Sequence, residues 1–217
     1  MRISVIGASG RTGGEVVRQA LARGHDVLAV ARRPRLVGLD DHPLASSGVG
    51  RLTVRQADVV KDEGLEEALE GVDAVVSAVG IGSSRRPTEV YSTGTDNLLR
   101  AMSGAGVRRL AVVSAAPVGP RQEQPVVHRY VAMPILERVF GATYADMRRM
   151  EVVLSESDLA WTALRPPRLV NRPAVGRYRI DRRPLPRGGT ITIPDLATAL
   201  LACVSSADPG RALYVAN

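Results

Sequence analysis

Seven residues near the start of the chain, Gly7-Ala8-Ser9-Gly10-Arg11-Thr12-Gly13, have the form GxxGxxG. They follow an apolar run, Ile3 to Ile6, and open a stretch with helical periodicity. In that context each glycine has a separate use. Gly7 permits a tight turn. Gly10 lets the backbone approach a pyrophosphate with no Cβ in the way. Gly13 lets the helix lie close to the sheet. The helix N-terminus adds unpaired N–H groups and a partial positive charge, with Ser9, Arg11 and Thr12 on the same turn. The pattern points to a bound dinucleotide.

Other residues bear on which dinucleotide. A site built for NAD carries Asp or Glu at the end of the second strand, to hold the ribose 2′-hydroxyl. Here that region reads Val30-Ala31-Arg32-Arg33-Pro34, with two guanidiniums and no carboxylate. A 2′-phosphate suits a planar guanidinium fork, so NADP(H) is expected at Arg32 and Arg33, with Arg11 as a third cation. The alternative is that both arginines are simply solvated. Asp58, after the third strand, suits the adenine amino group or a cap on the following segment. Ala78-Val79-Gly80 follows the fourth strand, where small residues let a cofactor pass close to the backbone.

These residues need a scaffold, and the hydrophobic pattern outlines one. Strands are expected at Ile3–Ile6, Val27–Ala31, Arg51–Gln56, Ala74–Ser77, Leu110–Ser114, Trp161–Leu164 and Leu213–Val215. Helices are expected at about Arg11–Ala22, Leu65–Leu69, Thr88–Ala105, Tyr144–Ser157 and Pro194–Val204. A long connection, Ala115–Thr143, has some helical character near Met133–Phe140. Residues Arg168–Gly189 read as an irregular segment rich in Arg, Pro and Gly. Continuous apolar strands alternating with helices imply an α/β fold: a Rossmann-type doubly wound parallel sheet, with a small C-terminal substrate-side lobe. No linker divides the chain, so residues 1–217 are expected to form one NAD(P)-binding domain.

Composition narrows the class further. The chain has 217 residues and a net charge of +7, and Lys61 is its only lysine. The arginines are scattered in pairs without a long basic run, so a nucleic-acid partner is not expected. One cysteine, Cys203, excludes an intrachain disulfide. His25, His42 and His128 lack metal-ligand spacing, and no metal is expected; His128 is either a solvated loop residue or faces a substrate. The opening strand replaces any signal-peptide pattern, and no apolar run is long enough to span a membrane. A cytoplasmic monomer or homodimer acting on a small molecule, planar or anionic, is the expectation.

The sequence resembles the atypical short-chain dehydrogenase/reductase proteins that bind NAD(P)H. That group includes NADPH-dependent flavin reductases, biliverdin reductase B and the NmrA-like sensors. The resemblance rests on the GASGRTG turn, Ala57-Asp58-Val59, Val113-Ser114-Ala115 and the run from Met150-Glu151 to Leu164-Arg165-Pro166-Pro167-Arg168-Leu169, and it covers nearly the whole chain. It implies Pro166 as a cofactor contact and Ser114 as a residue that orients nicotinamide or substrate. Ordinary members pair a catalytic tyrosine with a lysine four residues on. Here Tyr144-Ala145-Asp146-Met147-Arg148 keeps the tyrosine and has arginine fifth, so Tyr144 is either a catalytic acid or a residue used in packing or at a helix start. The histidines often seen in the biliverdin reductase B group align with Met147 and Arg168, and Arg168 could meet an anionic substrate group. The resemblance implies an NADPH-dependent oxidoreductase acting on a flavin, quinone or similar conjugated acceptor. It also permits a non-catalytic NADP(H) sensor, or an isomerase, epimerase or tailoring enzyme on the same scaffold.

Overall fold

The computed structural model describes residues 1–34, 50–82, 86–124, 129–130, 133–205 and 211–217. Strands β1 (Arg2–Ile6), β2 (Asp26–Ala31), β3 (Leu52–Gln56), β4 (Ala74–Ser77), β5 (Arg109–Val113), β6 (Ala160–Arg165) and β10 (Arg211–Ala216) lie parallel in one sheet. The antiparallel β8 (Arg179–Asp181) completes it. The order is β3-β2-β1-β4-β5-β6-β10-β8. The direction of winding reverses between β1 and β4, and an open α/β sheet forms its ligand crevice outside the carboxyl ends at such a point. A separate two-stranded sheet pairs β7 (Arg168–Val170) with β9 (Thr190–Thr192).

Period-two alternation within the strands builds two cores. Ile6, Leu28, Val30, Val75, Leu110 and Val112 face α2 (Ser92–Gly104) and α3 (Met133–Ser155). Ile3, Val5, Val27, Ala29, Val76 and Ala111 face α1 (Arg11–Ala22) and α4 (Ile193–Ser205). Both faces are covered, so the strands read as unbroken apolar runs.

Several expected elements differ. Residues Leu65–Leu69 form turns rather than a helix, although Leu65, Ala68 and Leu69 are buried. Burial set the apolar spacing there without requiring helical backbone. The helix expected from Tyr144 begins eleven residues earlier, at Met133. Pro134 sits in its first turn, where a missing N–H removes no hydrogen bond. Gly141 is carried in the interior at a cost of about 1 kcal/mol. Tyr144 is therefore a mid-helix residue and not a helix start. The segment Arg168–Gly189 contains β7 and β8, each of three residues; β8 is wholly exposed, so no apolar run announces it.

Asp195 ties the C-terminal elements together. Its carboxylate accepts from Thr192 Oγ1 (2.7 Å), Val175 N–H (2.9 Å), Gly176 N–H (3.1 Å) and Asn217 Nδ2 (2.8 Å). Burial alone would raise its pKa, but these donors outweigh it and hold the group below the ordinary 3.8. A depressed folded pKa adds stability that is complete above the unfolded value and is lost as pH falls through the folded one. Asp195→Asn should therefore lower the urea midpoint at pH 7, and the gap from wild type should close as pH falls below about 4. A gap that stayed constant across this range would show that charge on Asp195 contributes nothing.

Candidate functional site

The sheet register gathers the sequence-predicted residues along one edge. Ile6 stands opposite Val30 and Ser77, and Val113 opposite Leu164. Gly7, Arg32, Ala78, Ser114 and Pro166 thus leave the strands at neighbouring positions on the carboxyl side. Gly7 has φ +82°, and a Cβ there would stand 2.8 Å from the Ala78 carbonyl oxygen. Its N–H and that of Ala8 both donate to the Val30 carbonyl, at 2.9 and 3.0 Å. The turn is stitched to β2 before α1 begins.

Gly10 caps α1 and has no side chain with which to satisfy the first helical N–H groups. A Cβ on Gly13 would lie 2.2 Å from the Gly7 carbonyl oxygen, so only glycine lets α1 pack on the turn. Ser9, Gly10 and Arg11 are exposed, and Thr12 is half-buried. The turn therefore presents uncapped N–H groups and one guanidinium at an open backbone surface, which fits a pyrophosphate. Arg32 and Arg33 are exposed directly after β2. Asp58 takes up the capping alternative with one oxygen: Oδ1 accepts from Val60 N–H (3.0 Å) and Lys61 N–H (3.4 Å). Val79 and Ala78 are half-buried and Gly80 is exposed. Pro166 is buried, and its carbonyl accepts from Ala116 N–H at 2.8 Å.

Ser114 is 2% exposed and its hydroxyl is committed. Oγ donates to Glu151 Oε1 at 2.7 Å. Glu151 also pairs with Arg165, through Nε at 3.0 Å and Nη2 at 2.5 Å. Both side chains are 12% exposed. Burial alone would lower the Arg165 pKa, but Glu151, with Tyr214 beside it, outweighs burial and raises the value, so the guanidinium keeps its charge. The guanidinium lies 5.3 Å from the ring centre of Tyr214, a cation–π contact. Because a carboxylate can only accept, the Ser114 proton points at Glu151, and the serine oxygen offers its lone pairs to whatever lies on the other side.

Tyr144 is half-buried beside the core, with its ring 6.1 Å from that of Phe140. Burial raises its phenol above the usual 10, more than the Arg148 charge lowers it. Arg148 Nη2 donates to the Pro117 carbonyl at 3.2 Å and to Glu137 at 3.4 Å. Its charge is thus directed to the segment after β5. Asp146, between them in sequence, is fully buried and caps α2. It accepts from Tyr91 N–H (2.9 Å), Ser92 Oγ (2.5 Å) and Arg149 Nη2 (3.0 Å). Arg168 is exposed on β7. His42 and His128 lie outside the described residues.

The NAD(P)H-binding family profile matches residues 7–207, from the first glycine of the turn to just beyond α4. The chain belongs to the NAD(P)H-binding family. It is 28% identical to the 2-alkyl-3-oxoalkanoate reductase of Stenotrophomonas maltophilia, over 98% of this chain and 68% of that protein. It is also 28% identical to the 3-diazoavenalumate denitrifying reductase of a Streptomyces species, over 97% of this chain and 74% of that one. With two further curated relatives the match covers only 33% and 13% of the relative's length. A solved short-chain dehydrogenase/reductase from Veillonella parvula, in complex with NADP, aligns with TM-score 0.74 at 18% identity, covering 100% of this chain and 94% of that one. This last likeness shows that the fold is shared.

Within that NAD(P)H-binding fold, sequence reasoning missed the partners of Ser114. Glu151 entered only as part of a resemblance, and Arg165 and Tyr214 were given no role. One signal was available. Tyr144, Arg148 and Glu151 are spaced i, i+4, i+7 and so share a helix face. Among the described residues, no group of His, Cys, Asp or Glu is placed to hold a metal, and no helix is long and apolar enough to cross a membrane.

Proposed function

We propose that this NAD(P)H-binding protein is an NADPH-dependent reductase acting on a conjugated acceptor such as a flavin or quinone. The observation that carries the reading is the uncapped glycine turn at the β1/β4 switch point, with Arg32 and Arg33 exposed at the end of the neighbouring strand. Two relatives that align over most of the chain carry the name reductase, which supports the same class of reaction.

The bound nicotinamide would supply a hydride from C4. The turn formed by Gly7, Gly10 and Gly13 holds the pyrophosphate, with Ser9, Arg11 and Thr12 beside it. Arg32 and Arg33 clamp the 2′-phosphate, and Ala78, Val79, Gly80 and Pro166 border the path toward the nicotinamide. The second oxygen of Asp58 would accept from the adenine amino group. Ser114 acts as an acceptor and suits the N–H of a carboxamide better than the oxygen of a substrate carbonyl. Tyr144, with its raised pKa, keeps its proton at neutral pH. With Arg148 directed to Pro117, it does not take the lysine's part in transfer of that proton, so an acceptor protonated from solvent fits best.

Each lost charge-assisted contact to phosphate costs about 1.5–3 kcal/mol. Arg32→Ala/Arg33→Ala should therefore weaken NADPH binding by roughly 10- to 100-fold or more while leaving NADH binding nearly unchanged. Fluorescence titration with both nucleotides, followed by NADPH oxidation with FMN, riboflavin and small quinones, tests this. Equal loss for both nucleotides would remove the 2′-phosphate assignment. Binding without turnover on any acceptor would favour a sensor.

A further inference from the structure

We propose that the cleft between α3 and the segment after β5 binds the carboxylate of an elongated, otherwise apolar ligand, with Arg148 as the recognising cation. The inference does not rest on the reductase reading, and the ligand need not be the hydride acceptor. The cavity measures about 520 Å³, within the range that holds small organic ligands. Val118, Pro120, Met133 and Val152 supply apolar wall. Three guanidiniums, from Arg121, Arg148 and Arg165, and two carboxylates, from Glu137 and Glu151, also line it. Among the described lining residues one positive charge is therefore left over.

The two carboxylates are engaged very differently. Glu151 is only 12% exposed, paired twice with Arg165 and hydrogen-bonded by Ser114, so it is not available for exchange. Glu137 is shared at longer range, 3.5 Å from Arg121 and 3.4 Å from Arg148, and all three side chains are a third or more exposed. Exposed pairs of this kind are worth about 0–1 kcal/mol. A ligand carboxylate can replace Glu137 at small cost and gain a bidentate contact. Arg148 is already held for this by its bond to the Pro117 carbonyl. Glu151 forms part of the cleft lining and also accepts from Ser114, so the cleft borders the network that fixes the serine. Arg168, the cation the sequence suggested for an anionic group, is exposed on β7 and is not part of this lining.

The test compares octanoate with octanamide by isothermal titration calorimetry, using the full chain with and without NADPH. Octanoate should bind at least tenfold more tightly than octanamide. Arg148→Gln should erase that preference, Glu137→Gln should strengthen octanoate binding severalfold, and Arg168→Gln should leave it unchanged. Equal affinity for acid and amide would overturn the proposal, as would a preference that survives in Arg148→Gln. Circular dichroism and NADPH affinity establish that each variant is folded. If octanoate is preferred but NADPH does not bind the wild-type chain, the reductase reading fails and the cleft assignment stands.

Discussion

Replacing Gly13 with alanine should abolish measurable NADPH binding and lower stability by about 2–3 kcal/mol. The new methyl would lie 2.2 Å from the Gly7 carbonyl oxygen and 3.0 Å from the Ala8 Cα. Both obstacles are backbone, so no rotamer change relieves the clash. Either α1 lifts from the sheet or the turn shifts. Each outcome moves the N–H groups proposed to face the phosphates. Gly14→Ala is the matched control. Its Cβ would meet the Ala8 carbonyl oxygen at 3.4 Å, an ordinary contact, and alanine is the better helix former by about 1 kcal/mol. That variant should retain binding and be as stable as wild type or more so. Urea midpoints and NADPH titrations on the two variants separate the cases. Gly13→Ala binding NADPH within threefold of wild type would show that the turn is not the pyrophosphate cradle.

The second large effect is expected at Glu151. Glu151→Ala leaves Arg165 charged and mostly buried without its partner, and breaking such a pair costs about 3–5 kcal/mol. It also frees the Ser114 proton. Replacing both charges, as Glu151→Leu with Arg165→Met, removes the orphaned cation and should recover most of the stability. It does not restore the fixed orientation of Ser114. NADPH should therefore bind the double variant less tightly than wild type even though the fold is sound. Ser114→Ala should show the same weakened binding with little loss of stability. If the double variant binds NADPH as well as wild type does, the Ser114–Glu151 bond has no part in holding the nicotinamide. If Glu151→Ala is as stable as wild type, Arg165 has found another partner and the network is not structural.

Local pattern carried much of the architecture. The apolar runs at β1, β2, β4 and β5 were legible because both faces of each strand are buried, and burial leaves an unbroken hydrophobic signal. The same signal misled at Leu65–Leu69, where buried leucines are held by turns. It stopped short at α3, where Pro134 and Gly141 resemble loop punctuation and tertiary packing overrides them. It gave no sign of β8, a three-residue edge strand with every residue exposed.

The candidate site divides along the same line. The glycine turn is a local device: Gly7, Gly10 and Gly13 lie within seven residues, and the constraint that selects them acts between a strand end and the next helix. Sequence alone determined that turn, the paired guanidiniums after β2, and a fold able to hold a dinucleotide. The rest depended on groups far apart in the chain. Ser114, Glu151, Arg165 and Tyr214 meet only because β5, β6 and β10 lie side by side with α3 across their face. The destination of the Ser114 proton, the turning of Arg148 to Pro117 and the opening of a charged cleft were decided by that packing. Hydrogen bonds and ion pairs act over about 3 Å, and only the folded chain fixes which groups come that close.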